Sequence, residues 1–195
     1  MAKWLGLTFP LYLTPPSLTS AREGGVFTPE DIFHYIYAIF HSPTYRERYA
    51  EFLKIDFPRV PLTSDLDLFW QLVGLGKQLV KLHLMEQHPA PITRFPLGGD
   101  NQVVRGYPKY TVPTPSGEAG RIYINKTQYI AGVEPEVWDF QIGGYQVLHK
   151  WLKDRRGRIL SYNDLHHYQQ IVVILKETMH LMAEVDETIP TWPLP

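Results

Sequence analysis

Most of the seventeen prolines in this chain of 195 residues fall in five short stretches, and these decide where regular structure can form. Proline lacks a backbone N–H and restricts the residue before it, so it belongs at helix starts, in turns and in loops. The five stretches are residues 9–16, 57–61, 89–96, 108–115 and 189–195. We expect them to be connections between helices and strands.

Apolar residues recur at helical spacing after an irregular lead-in at residues 1–27. Residues 28–31 (Thr-Pro-Glu-Asp) are typical of a helix start, because they combine a hydroxyl cap, a proline at the first position and acids near the positive end of the helix dipole. The periodicity predicts further helices at 45–54 and 65–87, so that 28–88 is helical. Gly74 and Gly76 in the last helix should permit close packing of another element.

The pattern changes to short β-branched and aromatic runs between residues 89 and 142. The predicted strands are 102–105, 109–112, 121–125 and 128–131, with a turn at 114–117. Residues 137–142 fit a strand or a short helix. Two more helices are expected in 143–189, at 145–156 after Gly143-Gly144 and from a capping box at Ser161 to about residue 187, with a tail at 190–195.

These elements predict an α+β fold, mostly helical, with a small antiparallel β insert at about residues 100–142 between N-terminal and C-terminal helices. A hydrophobic fraction of 44% is enough for a sizeable core, and the length favours a single domain over residues 1–195. No repeat or low-complexity tract interrupts it.

Composition limits the cellular setting and the partners. The chain has no cysteine, which excludes disulfides and thiolate metal sites and fits a reducing cytoplasm. No apolar run approaches the roughly 20 residues that span a bilayer, so no membrane partner is expected. The net charge of −1 argues mildly against nucleic acid as a partner, although a local basic face is compatible with it.

Sequence signatures of catalysis are absent. The chain contains no phosphate-binding G-x-x-x-x-G-K-[ST], no G-x-G-x-x-G and no G-x-S-x-G, and it lacks the N/D-P-P-Y motif of adenine methyltransferases. The eight histidines form no H-E-x-x-H, and His166-His167 point to different sides of a helix. The chain is therefore predicted not to be an enzyme and to hold no metal or cofactor.

Three clusters could contact an anion, and each also has an ordinary structural explanation. A basic run near a helix C-terminus offsets the helix dipole, and it comprises Lys150, Lys153, Arg155, Arg156 and Arg158. A helix start that suits either a phosphate or a cap comprises Ser42, Thr44, Tyr45 and Arg46. Gly144, with its neighbour Gly143, could admit a ligand to helix amides or allow tight packing of that helix.

The β insert contributes a fourth set of candidates. Arg, Lys, Asn and Gln are the residue types that read base edges in the major groove, and they are also ordinary strand-surface residues. The candidates here are Arg105, Lys109, Lys126 and Gln128, which stand near Tyr110, Arg121 and Asn125. Their spacing does not decide between the two roles.

Four long strings carry a resemblance to a known family. They are TPEDIFHYIYAIFHSPTYRERYAEFLKIDFPRVPL, LFWQLVGLGKQLVKLHL, INKTQYIAGVEPEVWDFQIGGYQVLHKWLKDRRGRILS and HHYQQIVVILKETMHLMAEVDETI. In their residues and their order, these strings over residues 9–189 resemble the C-terminal target-recognition domain of Type ISP restriction-modification enzymes and related predicted helicase/adenine-methyltransferase proteins. Such enzymes join a nuclease, a translocase, an adenine N6-methyltransferase and this domain in one polypeptide.

The resemblance implies recognition of double-stranded DNA for a methyltransferase in bacterial defence. S-adenosylmethionine, ATP and magnesium would then belong to the methyltransferase and translocase portion, which this chain lacks. In the family, part of the recognition domain precedes the string that resembles FPLYL (residues 9–13), so we expect this chain to be the latter part of that domain. The resemblance thus favours contact with the DNA backbone and a scaffolding role over the reading of bases.

Two functions remain open from the sequence. The first is a non-catalytic DNA-recognition module, as the resemblance and the anion-capable clusters indicate. The alternative is a protein-interaction or structural module that docks on methyltransferase or translocase domains without touching DNA. The net charge of −1 and the strongly apolar helix of residues 27–40 favour this alternative.

Overall fold

The computed structural model describes residues 27–87, 89–115, 117 and 119–195. The predicted lead-in lies outside the described residues except for Phe27. Contacts within the chain divide it into two compact units, the first comprising Met1–Gln87 with Thr178–Pro195 and the second comprising His88–Glu177. A single domain over residues 1–195 stays a prediction.

The first unit begins with helix α1, Pro29–His41, at the predicted start. A capping box fixes that start. The Thr28 hydroxyl accepts a hydrogen bond from the Asp31 N–H at 3.2 Å, and the Asp31 carboxylate accepts one from the Thr28 N–H at 2.8 Å. Helix α1 ends where Ser42 adopts an extended conformation, before a proline that starts the next helix.

The single helix predicted at 45–54 is wrong, because two short helices occupy this segment. Helix α2 spans Pro43–Arg48 and helix α3 spans Ala50–Leu53. Tyr49 lies between them with φ −105° and ψ 14°, outside helical geometry. Its ring packs 5.0 Å from that of Tyr45 and 6.3 Å from that of Trp192. We attribute the break to this aromatic packing, which no local periodicity reveals.

Helix α4, Leu66–His83, packs against α1 in the first unit. The Asp65 carboxylate caps it by accepting from the N–H groups of residues 67 and 68 at 2.9 and 3.1 Å. A Cβ at Gly76 would lie 1.8 Å from the His34 carbonyl oxygen, whereas a Cβ at Gly74 would meet nothing within 4 Å. Close helix packing is thus confirmed for Gly76 and is wrong for Gly74.

The second unit contains an antiparallel sheet of three strands, as predicted. Strands β1 (Lys109–Thr111), β2 (Arg121–Tyr123) and β3 (Tyr129–Ala131) lie in the order β1-β2-β3, and Ile122 pairs with Ile130. Both isoleucines are buried in the core. The strand predicted at 102–105 is wrong, since only one bridge forms there, from Gln102 to Ile159, before the chain turns.

Residues 135–146 form a short helix and then a hairpin, which resolves the open choice for 137–142. Helix α5 spans Pro135–Asp139, and strands β4 (Gln141–Ile142) and β5 (Tyr145–Gln146) pair with each other. Helix α6 is Val147–Lys153, shorter at both ends than the predicted 145–156. The β4–β5 hairpin includes residues 145 and 146, which the sequence predicts as the first turn of this helix.

The last helix, α7, spans Tyr162–Thr188, close to its predicted bounds. The predicted capping box is confirmed, because the Ser161 hydroxyl accepts from the Asp164 N–H at 3.1 Å and the Asp164 carboxylate accepts from the Ser161 N–H at 2.9 Å. The fold is α+β, with a small antiparallel insert among helices, as the sequence predicts. No described helix is long and apolar enough to cross a membrane.

Candidate nucleic-acid interface

Three segments of the second unit lie side by side and bring the two predicted basic regions together. Residues 101–104 run beside residues 157–160, with hydrogen bonds from the Val103 N–H to the Arg158 carbonyl at 3.0 Å and from the Gly157 N–H to the Val103 carbonyl at 2.7 Å. On their other side, the Val104 N–H donates to the Ile124 carbonyl at 2.9 Å. This pairing joins the segment that follows α6 to the β insert.

Four exposed cations gather where these segments meet. The Arg156 guanidinium Nε donates to the Tyr107 carbonyl, and the Lys109 ammonium lies 5.1 Å from the centre of the Tyr107 ring. Arg105 occupies the second position of the turn from Val104 to Tyr107, which Gly106 closes with φ 92°. We call Arg105, Lys109, Arg156 and Arg158 the basic surface.

Two of the three remaining cations of the predicted basic run have partners within the chain. Lys150 forms an ion pair with Asp154, one turn further along. The Arg155 guanidinium lies 3.5 Å from the centre of the Trp151 ring and donates to the Trp151 carbonyl at 3.0 Å. These contacts favour structural roles for Lys150 and Arg155. Lys153 is exposed.

The positive charges in and beside the basic surface affect the pKa of His149. Burial lowers the pKa of its imidazole, and the nearby charges of Arg156 and Lys153 lower it further. The ring therefore favours its neutral form.

Gln128 lies in the loop after β2 and is buried, with 1% of its surface exposed. Its amide donates to the Leu97 carbonyl at 3.1 Å and to the Asn101 side-chain oxygen at 2.7 Å, and it accepts from the Asn101 N–H and the Asn125 amide, both at 2.9 Å. These bonds use the donors and acceptors of an amide in full. They favour a structural role for Gln128 over the predicted contact with a base.

Lys126 is exposed at the tip of the same loop. The loop borders an open cleft, which we call the amide cleft, lined by Gly99, Asp100, Val104, Asn125, Lys126, Thr127 and Gln128. Sequence reasoning missed Asp100 and Thr127. The local signal was the string GGDN at residues 98–101, where glycines and polar residues predict a turn that holds a carboxylate at the surface.

The predicted anion site at the start of α2 already holds a carboxylate from this chain. Asp186, in the last turn of α7, accepts from the Ser42 hydroxyl and from the N–H and hydroxyl of Thr44 at 2.9 and 2.7 Å. Tyr45 is buried and donates to the Arg59 carbonyl at 2.8 Å, and Arg46 donates to the Phe40 carbonyl. These contacts favour the capping role over a phosphate contact.

Gly144 lies at the tip of the β4–β5 hairpin and does not open a helix. Gly143 and Gly144 have φ of 57° and 79°, and positive φ at both central residues is what a two-residue type I′ hairpin turn requires. The hairpin turn thus explains the glycine pair. Among the described residues, no group of three or more His, Asp or Glu could hold a metal ion.

The chain matches one family model, described as the Type ISP C-terminal specificity domain, over residues 12–184. A comparison with curated proteins found no match. The predicted resemblance is therefore confirmed by the family comparison, over nearly the same residues.

Three solved structures share the fold. One is a nuclease-deletion mutant of the Type ISP restriction-modification enzyme LlaGI in complex with a DNA substrate mimic, with 24% identity, 80% of this chain and 13% of that chain covered, and a TM-score of 0.58. The ATP-dependent Type ISP enzyme LlaBIII bound to DNA matches with 19% identity, coverages of 85% and 12%, and a TM-score of 0.60. A DrdV–DNA complex matches with 20% identity, coverages of 83% and 18%, and a TM-score of 0.60.

The chain thus spans 12–18% of the length of these solved chains. At such identities the likeness concerns the fold, and the family model provides the assignment. Because that model matches far more than half of the sequence, this chain belongs to the Type ISP C-terminal specificity domain family.

Proposed function

We propose that this specificity domain binds double-stranded DNA, gripping the phosphate backbone through the basic surface. The observation that carries the proposal is the convergence of Arg105 and Lys109 with Arg156 and Arg158, which the sequence separates by about fifty residues. The DNA-bound state of the three solved relatives supports the same function.

Local charge explains how a chain with a net charge of −1 can bind DNA. Among the described residues, none of the four cations of the basic surface forms an ion pair with Asp or Glu. Their charges therefore remain available to phosphates, and each contact would release condensed counterions from the duplex. Other acids of the chain, such as Asp154 and Glu51, pair with cations elsewhere.

Substitution of the basic surface tests the proposal. Arg105→Ala, Arg156→Ala and Arg158→Ala combined should weaken binding of a labelled duplex at low salt by about tenfold or more, as measured by fluorescence anisotropy. The matched control removes three exposed cations of the first unit, through Arg48→Ala, Lys54→Ala and Arg59→Ala. Equal losses in the two triple variants would contradict a localised DNA contact.

We further propose that the domain is non-catalytic and acts with the methyltransferase and translocase portion of a larger cytoplasmic enzyme. The small share of the solved chains that it spans supports this arrangement. S-adenosylmethionine, ATP and magnesium would be bound by that portion. Addition of this domain to a methyltransferase portion that lacks its specificity domain should restore site-specific adenine methylation. If methylation is not restored, the result would count against the proposal.

A docking surface for that larger portion is a second candidate function, and one observation favours it. Phe52, Ile55 and Phe57 in the first unit are 67%, 83% and 90% exposed, and two of them border a cleft lined with tyrosines and prolines. Contiguous patches of exposed apolar side chains commonly mark protein contacts. Phe52→Ser with Phe57→Ser should abolish co-purification with the methyltransferase portion while leaving DNA binding unchanged.

A further inference from the structure

The amide cleft combines an acceptor and a donor on a rigid polar frame, beside the basic surface. Asp100 is exposed, and its Oδ1 accepts from the Gln102 N–H at 3.0 Å and from the Asn125 amide at 3.4 Å. Its second carboxylate oxygen forms no hydrogen bond with the part of the chain that the structure describes. Lys126, on the facing loop, is likewise exposed and forms no ion pair with the described residues.

A carboxylate is an unexpected neighbour for a surface that grips phosphates. Residues 100–105 connect Asp100 directly to Arg105, and the Gln102 side chain donates to the Gly157 carbonyl at 3.3 Å, next to Arg156 and Arg158. A fixed negative charge at this place would repel DNA phosphates. It becomes favourable if the carboxylate accepts hydrogen bonds from a base, since bases in the groove present amino donors.

The buried amides hold both cleft walls in position. Gln128 ties the loop of Leu97 and Asn101 to its own loop through three of the hydrogen bonds given above, and the fourth joins it to Asn125. A Cβ at Gly99 would lie 2.5 Å from the Gln128 side-chain carbon, so glycine is what allows the two loops to press together. The Asn125 side-chain oxygen accepts from the N–H groups of residues 127 and 128 at 3.0 and 2.7 Å.

Such a frame suits recognition, because a polar network with all its hydrogen bonds made is rigid and little ordering entropy is lost on binding. Gln128 is then a positioning residue for the cleft. That role accounts for its burial, which is unusual for a glutamine in a surface loop.

We propose that the amide cleft reads one G·C base pair in the major groove, with Asp100 accepting from the cytosine N4 amino group and Lys126 donating to guanine O6 and N7. A G·C pair presents this combination of one donor and two acceptors there, and carboxylates and lysines are the side chains that match it. The inference rests on the proposed DNA contact and extends it from backbone grip to base reading.

Selection from a randomised duplex pool with the 195-residue chain, followed by sequencing of the bound fraction, tests this assignment. The wild-type chain should enrich sequences with a fixed G·C pair. Asp100→Asn, which keeps the shape and removes the charge, should lower the preference at that pair by about tenfold. Its affinity for the unselected pool should stay equal or rise. Lys126→Ala should lose the preference at the same pair.

Asp139→Asn is the matched control, because it removes one exposed carboxylate of the same unit outside the cleft. Enrichment that is identical in the wild type and in Asp100→Asn, enrichment without a fixed G·C pair, or salt-dependent binding with no enrichment would each overturn the base-reading assignment and leave the DNA contact standing. Absence of binding to any duplex at low salt would instead overturn the proposed function, and this assignment with it.

Discussion

Gln128 and its amide neighbours show how a single buried side chain can hold two loops of the second unit together. The sequence predicts a surface role, because glutamine in a β loop is usually exposed. In the structure, its partners come from residues up to 31 positions away. Local pattern carries no information on such distant partners, so the burial of Gln128 could not be predicted from the sequence.

Replacement of this amide should destabilise the second unit. Gln128→Ala removes the hydrogen-bond partner of the Leu97 carbonyl, of the Asn101 N–H and of the Asn101 side-chain oxygen, at a cost of about 1–3 kcal/mol for each unsatisfied group after partial relaxation. We expect the free energy of unfolding to fall by about 2–4 kcal/mol, measured by chemical denaturation.

Gln141→Ala is the matched control for this change, because Gln141 is an exposed glutamine of the same unit. It should alter the free energy of unfolding by no more than about 0.5 kcal/mol. Equal effects of the two substitutions would contradict the structural role of Gln128.

At the scale of elements, the contact between α1 and α4 separates two glycines that look alike in the sequence. Gly76→Ala would place a Cβ against the His34 carbonyl and force the helices apart, so the free energy of unfolding should fall by about 3 kcal/mol or more. Gly74→Ala meets open space and should raise it by about 0.5–1 kcal/mol through helix propensity. Thermal or chemical denaturation of the two variants measures both changes, and the same sign for both would contradict the packing described here.

The same two helices carry a pair of half-buried histidines. The Tyr37 hydroxyl lies 2.7 Å from His83 Nδ1, His41 Nδ1 lies 2.7 Å from the Tyr37 carbonyl, and the two imidazoles are 5.3 Å apart. Burial lowers the pKa of His41 to about 4, and the charge of Arg46 on α2 adds to this effect. Burial also lowers the pKa of His83.

These lowered pKa values predict a loss of stability in acid. Below the usual histidine pKa of about 6.5, the unfolded chain binds protons that the folded chain does not, so the free energy of unfolding falls as pH drops toward 4. His41 should contribute a loss of about 2–3 kcal/mol over that range. His41→Leu should flatten the dependence in denaturation measured at pH 7 and pH 5, whereas the control His166→Gln should not. An unchanged slope in His41→Leu would count against a half-buried, neutral His41.

Most elements of the fold could be predicted from the sequence, because their signals are local. The caps at Thr28 and Ser161, the periodicity of α4 and α7 and the turn residues between strands each act within a few residues. The break at Tyr49 depends on Trp192, which lies far away in the chain, whereas the strand predicted at 102–105 is cut short by the turn from Val104 to Tyr107. The hairpin at Gly143-Gly144 was missed because paired glycines also precede helices.

At the scale of the whole molecule, the family could be predicted from the sequence, but the position of the candidate site could not. In the sequence, the cations in and after α6 and those of the β insert form separate clusters. Only the pairing of residues 101–104 with 157–160 brings them together in one surface. The predicted site at Ser42 and Thr44 looked equally favourable in sequence. Its donors meet Asp186, which stands more than 140 residues away.

The salt dependence of DNA binding tests the central claim most directly. If the four cations of the basic surface contact phosphates, a plot of log K against log salt concentration for the 195-residue chain should have a slope of about −3 to −4. The triple variant of Arg105, Arg156 and Arg158 should have a slope near −1. No binding at low salt, or a slope that these substitutions leave unchanged, would contradict the account.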